Sequence, residues 1–203
     1  MIPEGTRGYK QPMRSRRLRN RLGVLALVAV VALLQARHLA RDWATSEPAD
    51  GLAKGEPVPH FVTLGADGGA IDLRQHLDDF VVVTFWASWC LPCLAELPEL
   101  AGLVDEWEKL ETRHHDLTII AINVREDAEQ AGLQIGDPRY RSFSFAFDSD
   151  GSLARMWRVQ TLPSCFLIDP AGRLLESTTG YEPGVRLRLL ALMASHDDPG
   201  SAP

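Results

Sequence analysis

Apolar and polar positions divide this 203-residue chain into distinct stretches. Residues 1–21 are polar and basic, and residues 22–34 (LGVLALVAVVALL) are an unbroken apolar run. Further on, short apolar runs alternate with turn-forming residues, the pattern of a folded domain. Residues 80–87 (FVVVTFWA) and 117–124 (LTIIAINV) are dominated by β-branched and large apolar residues, which predicts two buried strands. Between them, residues 91–113 carry Leu94, Leu97, Ala101 and Val104 at helical spacing, with Pro98 inside removing one hydrogen bond and kinking the helix. Residues 60–64 and 70–73 flank Gly65-Ala-Asp-Gly-Gly69, a hairpin signal. A short helix is expected at 126–134, a strand at 144–148 and a helix at 151–159. Two strands follow at 164–169 and 173–178, joined by the turn Asp169-Pro-Ala-Gly172. Residues 184–195 close the domain as a helix. Strands alternating with helices make the fold class α/β.

Charge divides the chain where hydropathy does. Residues 1–41 hold nine Lys/Arg and one acid. The whole chain has 21 Lys/Arg and 27 Asp/Glu, which leaves 12 bases and 26 acids, net −14, for residues 42–203. An acidic domain argues against nucleic acid as a partner. The basic arm followed by an apolar run has the layout of an export signal. At thirteen residues the run is shorter than the ~20 of a comfortable membrane span. Small-x-small cleavage sites behind it are poor, which favours a retained anchor over a cleaved secreted form. The expected organisation is a basic cytoplasmic arm at 1–21, a signal-anchor segment at 22–36 and a linker at 37–54. A domain at 55–195 and a disordered tail at 196–203 complete it.

Three cysteines remain to be assigned. Trp89-Cys90-Leu91-Pro92-Cys93 stands at the end of a strand and the start of a helix. A sulfur there meets the free N–H groups and partial positive charge of the helix N-terminus, which favours the thiolate. Cys93, one turn along, is within reach to close a disulfide. Zinc is the competing reading, but no second Cys-x-x-Cys exists, and His114 and His115 are adjacent and distant. No metal is expected, and the six histidines read mostly as solvated surface. Cys165 lies in an apolar strand (SCFLID) and reads as a buried structural thiol, with Ser164 and Phe166 facing the other way.

The run FWASWCLPCLAELP, together with TLPSCFLID at 161–169, resembles the TlpA/ResA-like thiol-disulfide oxidoreductases of the thioredoxin superfamily, over about residues 55–194. The resemblance implies a thioredoxin-like fold: a central mixed β-sheet flanked by helices, with an N-terminal β-hairpin and an insert around 125–158. It implies an exposed nucleophile at Cys90 and a more buried resolving thiol at Cys93. It places a cis proline at Pro163, packed against the cysteine pair, and gives the backbone of Leu162 to an extended substrate. Glu96 falls on the same helical face as Cys93, where the family pattern has a buried proton-exchanging acid. Thioredoxin instead keeps an aspartate on the central strand, where this chain has Thr84. Trp89, Leu91, Pro92 and Leu162 would make the substrate-docking surface. The partners implied are disulfide-containing exported proteins, of the cytochrome c maturation or copper-site assembly type. A membrane thiol-disulfide electron donor is implied too, since no NADPH or flavin motif and hence no cofactor is evident. The work would be done at the periplasmic face of the cytoplasmic membrane. The alternatives are a peroxiredoxin-like thiol peroxidase, a copper chaperone using the cysteine pair, and a disulfide-donating oxidase.

Overall fold

The computed structural model describes residues 52–197. The basic arm, the expected anchor at 22–36 and the last six residues lie outside the described residues. Among the described residues, no helix is long and apolar enough to cross a membrane.

A five-stranded sheet organises the domain. Its strands are β3 (Phe80–Trp86), β4 (Leu117–Val124), β5 (Phe143–Asp148), β6 (Ser164–Ile168) and β7 (Leu174–Thr179). Their spatial order is β5-β4-β3-β6-β7. β3 pairs parallel with β4, and β4 with β5, while β6 and β7 run antiparallel. The sheet is mixed, as expected. Every residue of β3 is buried, because apolar layers lie on both faces. Phe80, Val82 and Trp86 enter one layer, and Val81, Val83 and Phe85 the other, by strand alternation.

Helices α1 (Leu91–Trp107) and α4 (Val185–His196) cover the first face. The second face holds Phe61 and Ile71 from the N-terminal segment and Trp157 behind α3 (Ser152–Met156). The helix α2 (Ala128–Ile135) follows β4 and starts with a capping box between Asp127 and Gln130. The hairpin of β1 (Val62–Leu64) and β2 (Ala70–Asp72) is antiparallel, in the expected place.

Both sheet edges are covered, as unpaired edges must be. Ala66 N–H donates to the Phe145 carbonyl beside β5. At the far edge Gly55 and Leu174 exchange backbone bonds, Gly55 N–H to Leu174 O and Leu174 N–H to Glu56 O.

The structure moves several expected boundaries. Leu52 packs into the core, and Lys54 reaches Glu176 at 2.8 Å, so ordered contacts begin ahead of residue 55. The first helix ends at Trp107, not 113, because Glu108, Lys109 and Glu111 offer no apolar face. The Arg113 guanidinium then caps the Glu108 and Leu110 carbonyls. Pro98 does not end this helix. At the C-terminus, order extends past 195: His196 ends α4, and buried Asp197 accepts the His114 N–H and pairs with the His115 ring. His60 likewise pairs with Asp72 at 2.7 Å, so these histidines are held against carboxylates instead of solvated freely.

Trp157 touches Phe61, Phe85 and Phe166 with ring centroids at 6.0, 6.0 and 5.1 Å and is fully buried. Trp157→Ala should therefore cost about 3–5 kcal/mol in urea unfolding. A loss under ~1 kcal/mol would show that this layer collapses around the gap.

Candidate active site

The site is built where β3 ends and α1 begins. Ser88 and Trp89 connect them, and the Cys90 N–H closes the turn onto the Ala87 carbonyl at 3.1 Å. Cys90 is the N-cap of α1, and its sulfur accepts the Cys93 N–H at 3.3 Å. Pro92, in the first turn, has no N–H to leave unsatisfied. Cys90 and Cys93 are joined as a disulfide. Cys93 is fully buried, but Cys90 is only 5 % exposed, so the expected open nucleophile is a sulfur seen through a narrow window. The exposed residues are its neighbours: Trp89 at 69 % and Leu91 at 76 %, with Pro92 also exposed.

The Leu162–Pro163 peptide is cis, as expected. Leu162 is half-buried, and Trp89 and Leu162 line the same groove. Pro163 itself is buried and adds no surface to the apolar patch.

One turn beyond Cys93 lies a buried carboxyl. Cys93, Glu96, Leu97, Leu100 and Val104 form the buried face of α1. Glu96 is 1 % exposed and points at the sheet, where the Thr84 hydroxyl donates to its Oε1 at 2.9 Å. Its Oε2 is buried without a partner among the described residues. Burial pushes the Glu96 pKa up to about 7; the Thr84 hydrogen bond opposes this and the nearby Glu99 charge adds to it. Thr84 thus holds the acid from the strand position where thioredoxin would supply one.

Thr84 pairs across the sheet with Cys165, and Cys165 with Thr178, so all three face the α1 layer. Cys165 therefore lies in the same core layer as Cys93, buried and unpaired. Burial first, and then the Glu96 charge, push its thiol pKa well up.

Two acids have roles that sequence reading missed. Glu126 accepts the Ser88 N–H at 2.7 Å, the Ser88 hydroxyl at 2.6 Å and the Asn123 amide at 2.8 Å. Burial raises its pKa, but these donors outweigh it and the net shift is downward. Glu126 so pins the turn leading to Cys90. The signal was available in the parallel β3–β4 pairing, which brings the C-terminal ends of both strands to one edge. Glu99 does more than face its own helix dipole. It accepts the Tyr181 hydroxyl at 2.6 Å and N–H groups of Gly184 and Arg186, tying the start of α4 to α1.

Comparison with known proteins agrees with this geometry. The family model described as the AhpC/TSA family matches residues 54–177. The thiol-disulfide oxidoreductase ResA of Bacillus subtilis is 28% identical over 167 residues, which is 82% of this chain and 87% of that protein. The thiol:disulfide interchange protein HelX of Rhodobacter capsulatus is 29% identical over 130 residues, 63% of this chain and 67% of that protein. Among solved structures, a thiol:disulfide interchange protein DsbE from Chlorobium tepidum superposes with a TM-score of 0.62 at 26% identity. That match covers 71% of this chain and 97% of the other.

Glu96 makes stability depend on pH. The folded carboxyl keeps its proton to about 7, against 4.5 ordinarily. Between those values the folded state binds more protons than the unfolded one, so stability falls as pH rises through the window. The loss should amount to roughly 3 kcal/mol. Urea unfolding of the oxidised protein at pH 5 and pH 8 measures it, and Glu96→Gln should flatten the difference. An equal difference in both proteins would place the titration elsewhere. Cys165 should ignore thiol reagents in the native oxidised protein and titrate as one thiol after unfolding; a fast native reaction would contradict its burial.

Proposed function

We propose that this chain, which belongs to the AhpC/TSA family, is a membrane-anchored, extracytoplasmic reductase of protein disulfides. It is a thiol-disulfide oxidoreductase, and one observation supports the reading of the cysteine pair as its exchange site. The Cys90–Cys93 disulfide sits at the N-terminus of α1, with a buried, partly partnered carboxyl one turn along on the same helical face.

The chemistry follows from that arrangement. When the pair is reduced, the Cys93 N–H and the helix N-terminus favour the Cys90 thiolate. That thiolate attacks one sulfur of a partner disulfide; the partner S–S bond breaks, and its second sulfur leaves as a thiolate and takes up a proton. Cys93 then gives its proton to Glu96 and attacks Cys90. The mixed disulfide breaks, the partner's first sulfur leaves and is protonated, and the Cys90–Cys93 bond forms. Two electrons have passed to the partner. A dithiol donor reverses the exchange and restores the pair. Glu96, one turn beyond Cys93 with a pKa of about 7, is close to half-ionised at neutral pH and can both take and return the proton.

Trp89, Leu91, Pro92 and Leu162 supply the docking surface, and the cis Pro163 just ahead of β6 is assigned to frame the pair. The partners we infer are exported proteins with cysteine pairs, of the kind that receive haem or copper. The donor is a membrane thiol-disulfide protein. The basic arm at 1–21 and the apolar run after it support an N-terminal anchor with the domain on the periplasmic side.

Cys90→Ser should abolish reduction of insulin disulfides, while Cys93→Ser should accumulate the mixed disulfide, visible as a mass increase. Faster alkylation of Cys93 than of Cys90 in the reduced protein would reverse the roles. A reduction potential below about −200 mV fits a reductase; a value near −120 mV would make it an oxidant. Hydrogen peroxide consumed faster than disulfides would favour the peroxidase alternative.

A further inference from the structure

A groove of about 210 Å³ is lined by Trp89, the neighbour of Cys90, and Leu162, the neighbour of Pro163, together with Arg125 and Arg155. That volume is small against the ~300–1,000 Å³ of small-molecule pockets, and suits a side chain or two of a bound polypeptide. Arg125 stands just past β4, and Arg155 on α3. Gly151 lies between them. A first side-chain carbon there would stand 3.3 Å from both Arg125 Nε and Arg155 Nη1, tight enough that both cations would have to shift by a few tenths of an ångström. Gly151 also has φ +70, which glycine tolerates best.

Like charges this close repel, and among the described residues neither arginine forms an ion pair with an acid, although the Asp150 carboxylate offsets part of the Arg155 charge. Arg155 donates to the Asp150 backbone carbonyl, an uncharged acceptor, at 2.9 Å. The Asp150 carboxylate turns to the Ser152 N–H, Asp148 to the Leu153 and Ala154 N–H groups, and Glu126 to Ser88 and Asn123. Elsewhere Arg113, Arg139, Arg186 and Arg188 are each paired with an acid. The described residues hold 12 bases against 22 acids, so two arginines without an ion pair in the groove that Trp89 and Leu162 share run against the charge of the domain.

We propose that the groove receives an acidic side chain, Asp or Glu, carried by the partner polypeptide close to its reacting cysteine. The assignment rests on Cys90–Cys93 being the exchange site. Trp89 and Leu162 continue the groove into the docking surface, so one extended segment can present its sulfur to Cys90 and its carboxylate to the arginines.

Two peptides test this, identical except that the residues flanking one cysteine are Glu or Lys. Each is offered to the reduced full-length protein as a mixed disulfide with 2-mercaptoethanol. The domain's net negative charge alone predicts that the Lys peptide reacts faster. The groove predicts the reverse: the Glu peptide ahead by ~10-fold at low salt, falling below ~2-fold at high salt. Arg125→Gln with Arg155→Gln should erase the ratio, and the same two positions changed to Lys should keep it. A Lys peptide as fast as the Glu peptide, or a preference untouched by salt and by both substitutions, overturns the proposal. Binding of the same peptides with Ser for Cys, read by calorimetry, separates the two readings. If neither mixed disulfide exchanges, the redox reading falls, while tighter binding of the Glu peptide still supports the groove and equal binding still rejects it.

Discussion

The packing of one helical face onto one row of the sheet is the constraint on which the site depends. Cys93 and Glu96 lie one turn apart on the buried face of α1, so the helix cannot bury one without the other. The row beneath is Thr84, Cys165 and Thr178, cross-strand neighbours facing the helix. An ionised carboxylate in such a place would cost several kcal/mol, and a single hydroxyl donor recovers only part of it. The group answers by holding its proton to about pH 7. The raised proton affinity of Glu96 is thus a by-product of the contact that closes the core. A change in how α1 seats on the sheet would alter stability and proton affinity together.

What could be read from the sequence was what is local. Seven consecutive buried positions in β3 admit few readings other than a strand covered on both sides. Cys-x-x-Cys at a strand-to-helix junction is local too, and Glu96 follows from helical spacing. The failures concern partners distant in sequence. Glu126 acts on Ser88 only because β3 and β4 run parallel and end at the same edge. Glu99 looks like a dipole-complementing acid until α4, over eighty residues on, places its first N–H groups on it. Residues 52–54 have a linker's composition, but what seats them is an apolar contact at Leu52 and the Lys54–Glu176 pair. The backbone exchange that follows at Gly55 and Glu56 leaves no mark on composition at all. Cys90 was expected to be open, and its small exposure comes from tertiary surroundings that a motif does not encode.

Two buried glutamates show how the fold sets proton affinity through desolvation and hydrogen-bond donors together. Glu96 and Glu126 are the same residue type, 1 % and 6 % exposed, within reach of the same redox loop. Glu126 receives three donors, from Ser88 twice and Asn123 once, and its pKa moves down despite burial. Glu96 receives one and its pKa moves up. The first is a fixed negative charge and can act as a strut. The second can change charge at neutral pH and can act as a proton carrier. Exchange chemistry needs both, a backbone that holds Cys90 still and a group that moves a proton beneath it. An extra donor to the bare Oε2 of Glu96 would favour its charged form and lower its proton affinity, although no residue of the cysteine motif had changed.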